Sequence, residues 1–231
     1  KNREGLDELM EELLKPYTGN PSGDNSQNLE LDKLLQNVEA LAQYDGADKK
    51  VLTYNDALAD IKSRGCTRFL TPTEAFTILI DSLNNPNSKA KNVAEDMLKS
   101  SGEWLNIAWQ AQADKLIVYH NPENLKWNGT IYEITGGNLK HSGTKEYLLT
   151  NIPRNEWVDL NKMPEAFQKD IYSKRVSELP AIMQTGSKRA QVYIRGDDKI
   201  WPVGRVNNFF DINGYCSDRA VRGVHASAPK K

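Results

Sequence analysis

Histidine, cysteine, net charge and long apolar runs are all scarce in this chain, and each scarcity removes a class of function. The 30 Lys and Arg against 31 Asp and Glu leave a formal net charge of −1, so nothing overall favours nucleic acid. No uncharged apolar stretch approaches the roughly 18 residues a membrane helix needs, so no membrane insertion is expected. Cys66 and Cys216 are the only cysteines, too few and too far apart for a disulfide framework, and both are expected as free thiols. His120, His141 and His225 have no Cys or Glu beside them at helical ligand spacing, so no metal site is expected. A Gly-x-Ser-x-Gly elbow, a phosphate-binding Gly-rich loop and a dinucleotide fingerprint are all missing. Hydrolase and nucleotide-enzyme readings lose their usual support, and no cofactor is expected. No signal peptide is visible, and the compartment stays unassigned.

What is present describes a globular chain, 39% hydrophobic and 26% charged. Its charge is uneven: residues 1–50 carry six Lys/Arg against eleven Asp/Glu, and residues 186–231 carry nine against four. The basic C-terminal end has no recognised nucleic-acid motif with it, so it reads as a solubilising surface. Residues 4–14 place Leu6, Leu9, Met10, Leu13 and Leu14 on one helical stripe. A Gly-, Pro-, Ser- and Asn-rich linker is expected from Pro16 to Asn28, then a helix from Leu29 to Gln43 with Asn28 as N-cap. Residues 1–50 are thus expected as a helical segment with linker. Its stripes must pack on each other, on residues 51–231 or on another copy.

Within residues 51–231 a helix opens at Thr53 and stops at Arg64-Gly65. Thr71-Pro72-Thr73-Glu74 is a capping box with Pro at the first helical position, and Phe76, Leu79, Ile80 and Leu83 follow it toward the core. A further helix is expected from Ser88 to Ser100. After Gly102 the period changes to two, with Leu105, Ile107 and Trp109 alternating, and Leu116–Tyr119 and Thr130–Ile134 read as strands with turns at Asn128-Gly129 and Gly136-Gly137. One short helix is expected up to Tyr172, then strands at 190–195 and 219–224. Helices first and short antiparallel strands later define an α+β class.

The most informative stretch is Trp201 to Val224, where two ordered-looking flanks enclose an Asn-, Gly-, Ser- and aromatic-containing run without periodicity. Cys216 and His225 are candidates for a thiolate–imidazole pair, although spacing alone shows no contact. Arg195-Gly196-Asp197-Asp198 contains an adhesion-type tripeptide and also suits a hairpin turn. Asn128-Gly129-Thr130 matches a glycosylation sequon and is equally a turn. Trp104, Trp109, Trp127 and Trp157 sit in strand-like runs and are expected in the core.

From Tyr193 through Trp201-Pro202-Val203-Gly204-Arg205 to Arg219-Ala220-Val221-Arg222-Gly223-Val224, the chain resembles the end of C-type-lectin-fold domains, in particular the variable proteins of archaeal-type diversity-generating retroelements. The resemblance covers about the last forty residues. It implies a C-type-lectin-like domain at 51–231 that recognises a protein or other macromolecular surface ligand through a variable region near 197–218, without catalysis. It also implies that Trp201, Gly204, Arg205, Arg219, Arg222, Gly223 and Val224 are scaffold. Archaeal or viral origin and surface display follow from the same resemblance. The closely spaced cysteine pair of the related formylglycine-generating enzymes does not occur. Asn121-Pro122-Glu123-Asn124 and Trp127-Asn128-Gly129 only loosely echo a calcium-lectin loop, so no calcium is assigned.

In that family, adenine-directed mutagenesis turns an Asn codon into any codon that keeps its final pyrimidine. Such codons cannot encode Lys, Gln, Glu, Met or Trp, and residues 205–229 contain none of the five. The ligand-contacting residues implied are Val206, Asn207, Asn208, Phe209, Ile212, Asn213, Gly214, Tyr215, Cys216, Ser217 and Asp218, with Phe210 and Asp211 as scaffold and Asp197 and Asp198 as second-tier candidates. Tyr, Asn, Ser and Gly give contact area and adaptable hydrogen bonds at small entropic cost. Two other readings stay open: a viral or surface assembly protein that oligomerises through the N-terminal amphipathic helices, and a thiol enzyme built on Cys216.

Overall fold

The computed structural model describes residues 25–39, 51–85, 87–100, 102–173, 176–179, 191–206, 211–213 and 219–226. The stripe at 4–14 lies outside them. Helix α1 (Asn25–Asn37) starts inside the expected linker, because Asn25 to Asn28 carry no apolar residue and the periodic pattern becomes visible only at Leu29. It ends at Asn37, before the expected Gln43, where Val38 leaves the helix to bridge Val224. Its Leu31 is buried and Leu34, Leu35 and Val38 are partly buried against the main core, so this stripe packs on the body of the chain.

Helix α2 (Tyr54–Ser63) stops at Arg64 and a positive-φ Gly65, as the sequence predicts. Thr53 Oγ1 bonds the Asp56 carboxylate at 2.7 Å and caps no amide. Helix α3 (Pro72–Asn84) forms its complete capping box: Glu74 N donates to Thr71 Oγ1 at 3.2 Å, and Thr71 N donates to Glu74 Oε2 at 2.9 Å. Arg68, on strand β1 (Cys66–Arg68), grips the same carboxylate with both terminal nitrogens, at 2.6 and 2.7 Å. Helices α4 (Lys91–Lys99) and α5 (Glu165–Tyr172) fall where expected.

The remaining strands are β2 (Gly102–Gln112), β3 (Lys115–His120), β4 (Leu125–Trp127), β5 (Tyr132–Ile134), β6 (Gly143–Leu148), β7 (Trp157–Asp159), β8 (Gln191–Tyr193), β9 (Ile200–Val206), β10 (Asp211–Asn213) and β11 (Val224–His225). Among the described residues they form a main sheet ordered β6-β3-β2-β9-β10-β8-β7, a β4–β5 hairpin and a β1–β11 pair. The chain is α+β, and its strand pairs are antiparallel except β8 with β10, which run parallel. The strand expected at 219–224 is reduced to single bridges at Arg219 and Ala220 followed by β11, because this segment crosses between elements instead of lying along one.

Strand β2 is the axis of the fold. Leu105, Ile107, Trp109 and Ala111 enter the larger core with residues of α3, α4 and α5, while Trp104 and Ala108 enter a second core with α2 and the β4–β5 hairpin. The expected half-buried alternation is therefore a strand buried on both faces. Rings of Tyr54, Phe69, Trp104, Trp127, Tyr132 and Trp201 stack through the second core at centroid distances of 5.0–6.3 Å. Trp157 departs from expectation. It lies on β7, at one end of the sheet order, 42% exposed and edge-on to Tyr193. No described helix is long and apolar enough to cross a membrane.

Candidate functional site

Strand β9, the first flank of the candidate run, is an interior strand between β2 and β10. Pro202 in its middle has no N–H to give to the ladder, and the pairing is interrupted there. Between the partners Trp104↔Gly204 and Ala108↔Pro202, β2 carries residues 105–107 where β9 has Val203 alone. The bulge frees the Asn106 amide, which donates instead to Leu70 O at 2.8 Å.

The far end of β9 rests on buried charge. Arg222 donates to Glu103 Oε1 through Nε at 3.1 Å and Nη2 at 3.0 Å, to Asp96 at 2.8 Å, and to the Glu39 carbonyl at 2.8 Å. Burial pushes its guanidinium pKa down, but Glu103 and Asp96 outweigh that and the net shift is upward. Arg205 is fully buried, donates to Met97 O at 2.6 Å and Ser100 Oγ at 3.0 Å, and lies 3.8 Å from Glu103. Burial pulls its pKa down, with Glu103 opposing and Arg222 and Arg219 adding to the fall. Arg205, Arg222 and Glu103 face inward and fix the backbone; they present no charge to a ligand.

The second flank is stitched to the same place. Arg219 and Leu52 exchange both backbone hydrogen bonds, at 2.9 and 3.0 Å, and Ala220 N donates to Gly102 O at 3.0 Å. Gly102 also pairs with Val206, so both ends of the candidate run meet at one residue. Only glycine fits there: its φ is +139°, and an added Cβ would lie 2.3 Å from Arg205 O. Gly204 leaves room for the Arg219 side chain, whose Nε would sit 2.9 Å from a Cβ at that position. Trp201, Gly204, Arg205, Arg219, Arg222, Gly223 and Val224 are all buried.

Of the implied contact residues, Val206 closes β9, and Ile212 and Asn213 lie on β10, paired with Arg205 and Gly204 on one side and with Val192 and Tyr193 on the other. Part of the run that reads as an irregular loop is thus a strand, with Asp211 at its start. The pattern is illegible locally because three residues set no period and the parallel partner lies at 191–193. Asn207, Asn208, Phe209, Phe210, Gly214, Tyr215, Cys216, Ser217 and Asp218 lie outside the described residues.

The second-tier candidates separate. Asp197 is engaged internally, bonded to Arg195 Nε at 2.6 Å and to Trp201 Nε1 at 3.0 Å, while Arg195 lies 4.1 Å over the Trp201 ring. The adhesion-type tripeptide is therefore a turn closed by its own Arg and Asp. Asp198 is exposed at φ +53°, with its carbonyl accepting from Gln110 Nε2 at 2.8 Å. The calcium-like echo is engaged within its own turns: Asn124 Nδ2 bonds the carbonyls of Thr135 and Asn138, and Asn128 Oδ1 accepts from Thr130 N and Ile131 N.

Sequence spacing missed a partnership of His225. Its ring lies 3.7 Å from Cys66 Sγ and 3.5 Å from Glu39 Oε1, while Cys216 lies outside the described residues. Burial, then Glu39, pushes the Cys66 thiol up to about 12, so this pair is no resting thiolate nucleophile. Comparison with protein-family models, curated proteins and solved structures returns no match for this chain.

Proposed function

We propose that this chain is a non-enzymatic recognition protein with a C-type-lectin-like fold, of the kind diversified by archaeal-type retroelements, and that residues 206–218 supply its contacts to a macromolecular surface ligand. The observation that carries this reading is the anchoring of the run: Val206 and Ala220 both join Gly102, and Arg205 and Arg222 are buried around Glu103. A run fixed at both ends by interior groups can change its side chains without moving its frame. The residue set between those ends, free of Lys, Gln, Glu, Met and Trp, supports the same reading. The rival reading, assembly through amphipathic helices, draws no support from α1, whose Leu31 is buried in the chain's own core.

The test is a library in which the codons for Val206, Asn207, Asn208, Phe209, Ile212, Asn213, Gly214, Tyr215, Cys216, Ser217 and Asp218 are randomised with a pyrimidine fixed at the third position. A second library randomises Trp201, Arg205, Arg219 and Arg222 in the same way. Most members of the first are expected to keep the parent's unfolding midpoint and to yield binders when displayed against unrelated protein targets. Few members of the second should fold. Equal loss of folding in both libraries would show that the run is core and overturn the reading.

A further inference from the structure

Glu39, Cys66 and His225 come from three separate parts of the fold: the chain just past α1, the first residue of β1 and the last of β11. Register places them together. Cys66 and His225 are cross-strand partners, and Glu39 N donates to Gly223 O at 3.0 Å. From these positions we infer that Glu39, Cys66 and His225 form a three-ligand site for a divalent transition metal, best suited to zinc, with a fourth position open to water.

The spacings carry the inference. Zinc bonds of about 2.3 Å to sulfur and about 2.0–2.2 Å to nitrogen or oxygen, at a tetrahedral angle, put ligand S and N about 3.6 Å apart and N and O about 3.4 Å apart. The corresponding distances are 3.7 Å from Cys66 Sγ to His225 Nε2 and 3.5 Å from Nε2 to Glu39 Oε1, and all three ligand atoms lie within 4.8 Å of one another. The Gly65 carbonyl can only accept, so its 3.2 Å contact with Nδ1 favours the tautomer with the proton on Nδ1 and Nε2 free to ligate, while Sγ lies beside the ring, 3.7 Å from Nε2 and 3.8 Å from Nδ1. Arg64 Nη1 holds Glu39 Oε2 at 2.5 Å and leaves Oε1 to the site. An added Cβ on Gly223 would lie 2.5 Å from Cys66 Sγ, so the chain crosses directly over the sulfur and fixes it. The His225 side chain is 42% exposed, which gives a metal a path in. Sulfur and imidazole together select zinc over the hard cations. The bound ion would tie the C-terminal segment to α1 and β1, independently of whether the 206–218 run binds a ligand.

The experiment uses the full chain, stripped with chelator, dialysed and titrated with Co2+ and then Zn2+. One equivalent of Co2+ is expected to give tetrahedral visible bands and a near-ultraviolet thiolate-to-metal band, displaced by Zn2+. Cys66→Ser should abolish the thiolate band, while Cys216→Ser should leave it unchanged. His225→Ala and Glu39→Gln should each weaken Zn2+ binding by at least the ~10–100-fold that loss of a supporting contact costs at such sites. Circular dichroism of each variant establishes that it is folded, and the His225 and Glu39 variants carry the test should Cys66→Ser fail to fold. Absence of stoichiometric uptake, or a thiolate band that survives Cys66→Ser and disappears in Cys216→Ser, would overturn the site.

Discussion

At the scale of single residues, Glu103 has the largest expected effect. Its carboxylate is buried between Arg222, at 3.0 Å, and Arg205, at 3.8 Å, and one arm of Arg222 continues to Asp96. Removing one member of such a group leaves the others charged and dry, which costs about 3–5 kcal/mol, whereas replacing a whole pair by apolar groups of like volume is often neutral. Glu103→Ala is therefore expected to lower stability by about 3–5 kcal/mol. Adding Arg222→Met to Glu103→Leu should recover part of that, though less than all, because Arg205 still faces the gap and the Glu39 carbonyl loses its donor. Urea midpoints of the single and double variants check this. An additive double variant would show that the groups do not interact. Nothing in the local sequence marks Glu103, since a Glu beside Trp104 in an alternating strand reads as solvent-facing; its partners lie 119 positions away at Arg222 and in the flank at Arg205.

Elements differ in how far their instructions are local. Helix α3 is written almost entirely in Thr71-Pro72-Thr73-Glu74, and the structure forms both reciprocal hydrogen bonds of that box. Thr71→Ala should cost about 1 kcal/mol and Thr71→Ser much less, since serine keeps the accepting oxygen. Thermal unfolding of the two variants checks this, and equal losses would assign the effect to packing of the threonine methyl. Strand β1 has no comparable local signal: Cys66–Arg68 is a strand because β11 pairs with it. In β6 only Tyr147 is buried, so its sequence offers no apolar alternation. The same distinction applies to the candidate surface. Its frame, Trp201–Arg205 and Arg219–Val224, is implied by the family resemblance and not by residue type, since Arg205 and Arg222 would read as exposed, and the insertion of β10 between β8 and β9 depends on a parallel partner that no local pattern announces. The Glu39–Cys66–His225 cluster is the extreme case, with 159 positions between its thiol and its imidazole.

For the whole molecule the question is whether two cores make two stability units. Four stretches belong to both, one of them the chain just past β1, where Phe69 lies in the smaller core and Leu70 in the larger. In β2, Trp104 and Ala108 lie in the smaller core and Leu105, Ile107 and Trp109 in the larger; Trp201 and Val203 of β9 divide the same way, as do Val221 and Val224 at the C-terminus. Freeing either face of β2 takes the other face's support with it, so partial unfolding would expose apolar residues of both cores together. Helices α3, α4 and α5 line the larger core, and Trp104, Trp127 and Trp201 belong to the smaller or pack against it. Far-ultraviolet circular dichroism, weighted toward the larger core by α1, α3, α4 and α5, and tryptophan fluorescence of a double variant, Trp109→Phe with Trp157→Phe, thus weight different cores. The two signals are expected to share one urea midpoint, as coincident probes do in a cooperative transition. Separate midpoints would mean that β2 does not couple its faces, and the frame around residues 206–218 would then melt apart from the helices that back it.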